Sequence, residues 1–494
     1  MISLKGLDVL ERSVASDGTA EFGLAHAGAG PTLVALLPRN SPLLGTLEGE
    51  PAARGDRILL AGPMSARNAA ALRAALPWLA PRTLGHRTSA GLGDRLGLAT
   101  PGHVRAVRAA GSGVAPVFAQ QSVREMERTA RTPQEVIDDA TWGVFAEGWR
   151  EVHGADADHL KTAADVDASV AAGYTFFTFD PGEHVDDAAE SLDGPTLRSA
   201  FEGLPWEDLA DHPQDVRRRY LDDTVEAEGH MVRFDELSLA RAAVKYGRAV
   251  AHAAGLYRHL EDAARGSHFE VEVSVDETES PTTHAEHVFI ARELQRLGVR
   301  WVSLAPRYVG RFEKGVDYIG DVSAFEADLA VHAAIARTVL PDGPYKLSLH
   351  SGSDKFSIYP AFVRQTEGLA HLKTAGTSYL EALRTISSLD ASLFREVYAF
   401  ARERYKRDRA SYHVSARPDR APAPDEVGDA DLPRVLEQFD AREMLHVTFG
   451  SALQETGLRE RILDLLRENP ERYAADLEAH FVRHLQPFTR RGPS

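Results

Sequence analysis

Short apolar runs alternate with helical patterns along most of this 494-residue chain, and this alternation restricts the fold more than any other feature. Eight candidate strands begin near residue 92, and helical stretches separate most of them. They are Leu92–Ala99, Val114–Gln120, Ala155–Lys161, Tyr174–Asp180, Phe269–Asp276, Arg300–Arg307, Tyr345–His350 and Leu369–Lys373. Such alternation indicates parallel βαβ units, and eight of them predict an α/β fold of the (β/α)8 TIM-barrel type. A doubly wound open sheet is the main alternative, but no Gly-x-Gly-x-x-Gly motif follows an early strand.

Three segments fall outside this repeat. Residues 1–85 are rich in Ala, Gly and Pro and predict an appended α/β subdomain before a barrel at 86–380. Residues 181–268 form a long insertion after the fourth strand, acidic at its start and helical later. Because loops after barrel strands lie over the catalytic face, this insertion is either a lid or a solvated surface. Residues 381–494 predict a helical extension that wraps the barrel or mediates assembly of a homo-oligomer.

Charge and cysteine content exclude several classes of function. The chain has 56 Lys and Arg against 73 Asp and Glu, a net charge of −17, which disfavours nucleic acid or an anionic membrane as partner. It has no apolar run long enough to span a membrane and no signal-peptide pattern, so we expect a cytoplasmic protein. With no cysteine, a metal has to be held by His, Asp or Glu.

The tetrapeptide His-Leu-Lys-Thr occurs twice, at 159–162 and 371–374, and each copy lies at the end of a predicted strand. Side chains alternate between the two faces of a strand, so His and Lys two residues apart share a face. In a barrel the inward face at the carboxyl end of a strand lines the active site. The repeat therefore predicts His159, Lys161, His371 and Lys373 at one mouth.

The same alternation turns Asp276, Arg307 and His350 toward that mouth, with His159 and His350 within roughly 15 Å of each other. One histidine alone is usually an ordinary polar residue, but three at matched strand ends favour a divalent cation. Zinc, manganese, nickel and iron all suit these ligands. The lysines and the arginine suit a small anionic substrate.

Polar turns follow several of these strands. The segments Ser351–Lys355 and Thr374–Ser378 either offer backbone N–H groups to an anion or are ordinary strand-to-helix turns. Gln120 and Gln121 are weaker polar candidates at the end of the second strand.

Five motifs resemble those of the tagaturonate epimerase family, over about residues 85–415. They are Gly91–Gly97, Asp156–Thr162, Glu272–Thr278, Leu349–Phe356 and His371–Thr377. The resemblance implies an isomerase of hexuronate catabolism that interconverts D-tagaturonate and D-fructuronate and uses a divalent metal.

The implied reaction restricts the mechanism. The two acids differ at a carbinol carbon that is not adjacent to the ketone, so enolisation cannot invert it. Retro-aldol cleavage and re-addition can, given a Lewis acid, a base, an acid and a clamp for the carboxylate. A metal-dependent aldolase or sugar isomerase is the alternative enzyme, and a metal-free sugar-acid-binding protein is the alternative outside catalysis.

Each candidate residue has a predicted role. We expect His159, His350 and His371 to bind the metal, and Asp158 and Glu277 to form the acid–base pair. Strand alternation favours Asp276 over Glu277 and points Asp158 away from His159, but bulges often re-aim the last residue of a strand beside an active site. The predicted substrate-binding residues are Lys161, Arg307, Lys373 and Gln121.

Overall fold

An antiparallel five-stranded sheet forms the amino-terminal part of the computed structural model, which describes residues 4, 7–27, 30–374 and 376–489. Its strands are β1 (Ala15–Ser16), β2 (Glu21–Ala27), β3 (Gly30–Pro38), β4 (Glu50–Arg54) and β5 (Arg57–Gly62). They pair in the order β1-β2-β3-β5-β4. Helix α1 (Ala66–Ala75) follows, and Arg73 on it lies 2.7 Å from Asp138, which connects this subdomain to the barrel.

Eight parallel strands close into a barrel, which confirms the predicted fold. They are β6 (Ser89–Leu92), β7 (Ala115–Ser122), β8 (Gly154–Leu160), β9 (Phe176–Phe179), β12 (Glu270–Ser274), β13 (Ser303–Ala305), β14 (Lys346–Leu349) and β15 (Ala370–Thr374). The ring follows chain order and closes where β15 pairs with β6, with Leu372 opposite Ala90. Strands β10 (Thr224–Ala227) and β11 (His230–Arg233) form a separate hairpin.

Helices surround the barrel and return the chain between its strands. They are α2 (Thr100–Ala110), α3 (Val123–Thr129), α4 (Pro133–Glu147), α5 (Ala163–Ala172), α9 (His284–Arg296), α10 (Val322–Thr338), α11 (Tyr359–Thr366) and α12 (Thr377–Leu389). Capping boxes at Thr132, Thr162 and Thr283 start three of them, because each threonine hydroxyl accepts a hydrogen bond from a free amide of the first turn.

The first strand differs from the prediction. Strand β6 covers Ser89–Leu92, and most of the predicted Leu92–Ala99 is a turn in which Asp94 accepts hydrogen bonds from the amides of Leu96, Gly97 and Ala99. Ala90 and Gly91 have little intrinsic preference for strands, and pairing with both neighbours holds them there.

The insertion supplies the helix layer between β9 and β12. It contains α6 (Gly194–Glu202), α7 (Pro213–Leu221), the hairpin and the 28-residue helix α8 (Glu236–Ala263). Helix α8 packs against α5 and α9, so it occupies the place of the crossover helix.

The helical extension begins after α12 and wraps one side of the barrel. Its helices are α13 (Ala391–Asp408), α14 (Leu432–Val435), α15 (Phe439–Val447), α16 (Phe449–Gln454), α17 (Thr456–Glu468) and α18 (Pro470–Leu485). Helix α18 packs against α2 and α12, on either side of the barrel's closing seam. Among the described residues, no helix is both long and apolar enough to cross a membrane.

Candidate active site

Two adjoining cavities open at the carboxyl ends of the barrel strands and share part of their walls. The residues common to both are Arg124, Asp276, Lys314, His350, Ser351 and Tyr412. The first cavity also contains Gln120, Asp158, His159 and Lys373, and the second contains Glu277 and Arg307. None of the described residues 181–268 lines either cavity, so the lid stays a prediction.

A bulge at the end of β8 brings His159 into the site. The pairing of β8 with β9 shifts register between Ala157 and Leu160, and His159 has a left-handed φ of 57°. A non-glycine residue in this region is strained, and such strain is common at functional sites. Consequently Asp158 and His159 both face the mouth, and His159 Nδ1 lies 2.8 Å from Asp158 Oδ1.

His350 lies beside His159, with 5.1 Å between the ring centroids, well inside the predicted limit. Its Nε2 is 2.5 Å from Glu272 Oε1, and its Nδ1 is 3.2 Å from Asp276 Oδ1. Strand alternation places Glu272 and Asp276 on the inward face of β12 and its extension, which explains why both carboxylates reach one imidazole.

Carboxylates around the two imidazoles give this part of the site a negative electrostatic potential. Burial opposes a charge on His159, but Asp158 and Glu277 outweigh it and raise the pKa to about 10. Burial and the Lys373 ammonium oppose a charge on His350, but Asp276 and Glu272 raise its pKa to about 9. This environment favours a bound cation, and metal and protons would compete for the same nitrogen atoms.

The donor atoms present fit a divalent metal. One ligand atom from each of Asp158, His159 and His350 lies within 4.8 Å of the others. A second group of this kind joins His159 to Asp180 and Glu277. Two imidazoles and a carboxylate suit zinc, manganese, nickel or iron and leave coordination positions for a substrate.

Lys373 lines the first cavity and is held there by carboxylates. Its Nζ lies 2.9 Å from Asp156, 2.7 Å from Asp158 and 2.9 Å from Glu272. Burial opposes the charge, but these carboxylates raise the pKa of Lys373. One ammonium therefore orients two carboxylates that contact His159 and His350.

The structure does not bring His371 to this pair. It lies two residues below Lys373 on β15, opposite Ser89 and Ser348 of the neighbouring strands. Its Nδ1 is 2.8 Å from Ser89 Oγ, and its Nε2 has no hydrogen-bond partner among the described residues. The prediction placed His371 level with His159 from their common tetrapeptide, but His371 is the second residue of β15, whereas His159 lies in the bulge near the end of β8.

Glu277 and Asp276 occupy different parts of the mouth. Glu277 is one third exposed, 2.8 Å from Arg124 NH2 and 3.8 Å from His159 Nε2. Burial opposes its charge, but His159 and Arg124 lower the pKa of Glu277 to about 2. Asp276 lies deeper and accepts a hydrogen bond from Ser274 Oγ at 2.5 Å. Asp158 and Glu277 thus lie at the two nitrogen edges of the His159 ring.

The other predicted substrate-binding residues are dispersed. Lys161 lies at the surface, 3.0 Å from Glu183, because Asp156 and Asp158 take the inward positions of β8. Arg307 lines the second cavity, and its Nε is buried without a hydrogen-bond partner in the described chain. Gln121 is fully buried and donates to Glu125 at 3.0 Å. Its neighbour Gln120 lines the cavity instead and donates to Asp158 at 3.0 Å.

Sequence reasoning missed several residues that line the cavities or contact the two imidazoles. Glu272 could have been found, since the alternation that turns Ser274 inward turns Glu272 inward as well. Lys314 lies in the loop between β13 and α10, and no strand-end pattern marks it. Tyr412 and His446 come from the helical extension, far from any barrel strand in the sequence.

Comparisons with known proteins match almost the whole chain. The model of the UxaE tagaturonate epimerase family matches residues 11–488. A tagaturonate/fructuronate epimerase of Thermotoga maritima is 46% identical over 418 residues, which are 85% of this chain and 84% of that protein. The glycerol-complexed crystal structure of fructuronate-tagaturonate epimerase UxaE from Cohnella laeviribosi has a TM-score of 0.90 and 36% identity, covering 98% of this chain and 97% of that chain. The native crystal structure of that protein also has a TM-score of 0.90.

Proposed function

Because the chain belongs to the tagaturonate epimerase family, we propose that it is a metal-dependent isomerase of hexuronate catabolism that interconverts D-tagaturonate and D-fructuronate. The observation that carries the proposal is the pair of imidazoles 5.1 Å apart at the barrel mouth, with carboxylates and cations around them. An epimerase of a sugar acid needs these kinds of group together.

Retro-aldol chemistry accounts for inversion at a carbon that is not acidified by the ketone. A base removes the proton of the hydroxyl on that carbon as the bond to the carbon next to the ketone breaks. The electron pair of that bond becomes part of an enediolate, and the other fragment becomes an aldehyde. The aldehyde presents its opposite face, the bond re-forms, and an acid returns the proton to the new alkoxide. No external oxidant or reductant is needed.

Asp158, His159 and His350 are the residues proposed to hold the cation. When bound, a divalent cation supplies Lewis-acid polarisation of the ketone and its neighbouring hydroxyl. Lys373 and Gln120 fix Asp158 in place, and Glu272 fixes His350, as supporting contacts commonly do around metal ligands. His371 remains a predicted third imidazole ligand, one layer lower in the barrel.

Glu277 and Asp158 are proposed to move the protons. Glu277 is ionised at neutral pH because His159 and Arg124 lower its pKa, and it is partly exposed, so it can accept a hydroxyl proton. Asp158 lies at the other nitrogen edge of His159, which suits transfer to the opposite face of a substrate. Asp158 is also a candidate ligand, and Asp276 is the alternative base, so the three carboxylates have to be tested separately.

Incubation with D-fructuronate tests the activity. We expect D-tagaturonate to accumulate in a protein purified without chelator, with stoichiometric metal measured by mass spectrometry. Three-carbon products alone would indicate an aldolase, and a metal-free protein without turnover would indicate a binding protein. In D2O the inverted carbon should keep its hydrogen, because the aldehyde carries it through the reaction. Deuterium at that carbon would contradict the retro-aldol route.

A further inference from the structure

Four lysine or arginine side chains line the first cavity, and three of them are held by carboxylates. Arg95 lies 2.5 Å from Glu125, Arg124 lies 2.8 Å from Glu277, and Lys373 contacts three carboxylates. Lys314 has no ion pair within the described part of the chain. Its Nζ donates a hydrogen bond to Ser351 Oγ at 2.6 Å.

An ammonium without a counter-charge in a partly buried position is costly, because removal from water disfavours the charged form. Burial lowers the pKa of Lys314, although Glu277 and Asp276 lie near enough to oppose this. A ligand that brings a negative charge to Lys314 would remove this cost. The other three cations are already paired with carboxylates of the protein, so a bound anion would stabilise them less.

Lys314 is placed to bind a ligand that also reaches the two imidazoles. It lines both cavities, and its partner Ser351 directly follows His350. Ser351 has a left-handed φ of 49°, which ends β14 sharply and turns the hydroxyl group toward Lys314. An anion bound between Lys314 and Ser351 is therefore a neighbour of His350.

His446 provides a second, independent indication of a ligand. Its imidazole lines the same cavity and is 2% exposed, yet its Nδ1 has no hydrogen-bond partner among the described residues. Burial and the charges of Arg95 and Lys314 lower its pKa well below the ordinary value, so the ring is neutral. A neutral imidazole can still donate one N–H to a carboxylate oxygen.

We propose that Lys314, with Ser351 and His446, forms the subsite that binds the carboxylate of the substrate and sets the preference for a sugar acid over a neutral sugar. This inference rests on the proposed function. In this arrangement Lys314 is a binding residue, and Lys373 serves to orient Asp158.

The test compares a charged and an uncharged substrate. The variants are Lys314→Met and Lys314→Arg, with Lys406→Met on the exposed face of α13 as the matched control. We expect Lys314→Met to lower kcat/KM for D-fructuronate by roughly 10- to 100-fold, mainly through KM, since this is the scale of a charge-assisted hydrogen bond. For a neutral ketohexose we expect less than about a threefold change. Lys314→Arg should retain part of the preference, and Lys406→Met all of it.

Binding assays supply a readout that does not require turnover of the neutral sugar. D-gluconate and D-glucitol are compared as ligands of the wild type and of Lys314→Met by isothermal titration. The wild type should favour the anion, and the variant should lose that preference while its melting temperature stays near that of Lys406→Met. The proposed subsite would be overturned if Lys314→Met lost equal affinity for D-gluconate and D-glucitol. It would also be overturned if the ratio of the two dissociation constants stayed at the wild-type value. If the wild type failed to epimerise D-fructuronate, the proposed function would fall while the titration still decided the role of Lys314.

Discussion

Lys373 Nζ lies 2.7 Å from Asp158 Oδ1, and this buried ion pair fixes one carboxylate beside the two imidazoles. The same ammonium contacts Asp156 and Glu272, so three carboxylates depend on a single cation. Burial and the neighbouring charges of Asp158 and Glu272 outweigh Lys373 and raise the pKa of Asp156 to about 6. The barrel interior is therefore organised around charge, where most barrels of this type pack branched apolar side chains.

We expect Lys373→Met to destabilise the fold by about 3–5 kcal/mol, because it leaves buried carboxylates without their counter-charge. Urea unfolding at pH 7 measures the change. Lys161→Met is the stability control, since Lys161 forms an ion pair with Glu183 at the surface and should contribute less than about 1 kcal/mol. If the two variants lost the same free energy of unfolding, Lys373 would not be the residue that holds the buried carboxylates together.

Substitution of the proposed ligands should separate metal binding from proton transfer. His159→Ala and His350→Ala should lose bound metal and activity together, while His268→Ala, at an exposed position, should keep both. Glu277→Gln should keep the metal and lose roughly 10²-fold in turnover, the usual scale for a general base. Metal content by mass spectrometry and initial rates are measured on the same preparations.

Asp158→Asn and Asp276→Asn complete this series. Loss of metal from Asp158→Asn would make Asp158 a ligand, whereas retained metal with slow turnover would make it the second proton-transfer group. If Asp276→Asn abolished turnover while Glu277→Gln left it unchanged, strand alternation would have identified the base correctly and our preference for Glu277 would be wrong. The metal content of His371→Ala shows whether His371 is a ligand, because loss of metal would indicate that it is.

The fold was predictable because an eightfold alternation of strands and helices has few other solutions. Seven strands lie close to their predicted positions. The strand β6 (Ser89–Leu92) was misplaced because Ala90 and Gly91 carry no strand signal of their own. These residues are held in the sheet by pairing with β15 and β7, and such long-range pairing cannot be predicted from the local sequence.

The site was predictable where strands are regular. Alternation correctly turned Asp276, His350 and Lys373 toward the barrel interior or its mouth. It failed on β8, where it predicted Lys161 at the mouth. The bulge and the left-handed backbone of His159 place Asp158 there instead. Lys314 and His446 lie outside the strands, so no periodic pattern could connect them to the cavity.

The helical extension should make stability depend on pH through Glu443. Burial, then a hydrogen bond with Glu313 and its negative charge, raises the pKa of Glu443 to about 8. An unfolded glutamate titrates near about 4.3, so between these values the native protein binds more protons. The contribution of Glu443 to stability is therefore greatest below the unfolded pKa and is lost as pH rises toward about 8.

Glu443→Gln removes this titration but retains an oxygen atom that accepts from the amides of Ser415 and Ala416. We expect its melting temperature to fall less than that of the wild type between about pH 5 and pH 8.5. Glu437→Gln, at an exposed position near α14, should follow the wild type. Parallel curves for the wild type and Glu443→Gln would show that the pair does not titrate in this range. Glu313 precedes Lys314, so this contact also joins the extension to the loop of the proposed subsite.

The approach of Gly376 to His446 allows a test of the imidazole's position. A Cβ atom at residue 376 would lie 1.8 Å from His446 Nε2, whereas the backbone φ of −98° is suitable for alanine. Gly376→Ala should therefore displace His446 and raise the KM for D-fructuronate about as much as His446→Ala does. In the His446→Ala background the added methyl group has space, so the double variant should be no worse than His446→Ala alone. Gly255→Ala in α8 is the control, because a Cβ there meets no atom within 4 Å. Additive effects of the two substitutions on KM would mean that Gly376 acts independently of His446. An unchanged KM in His446→Ala would remove His446 from the binding site.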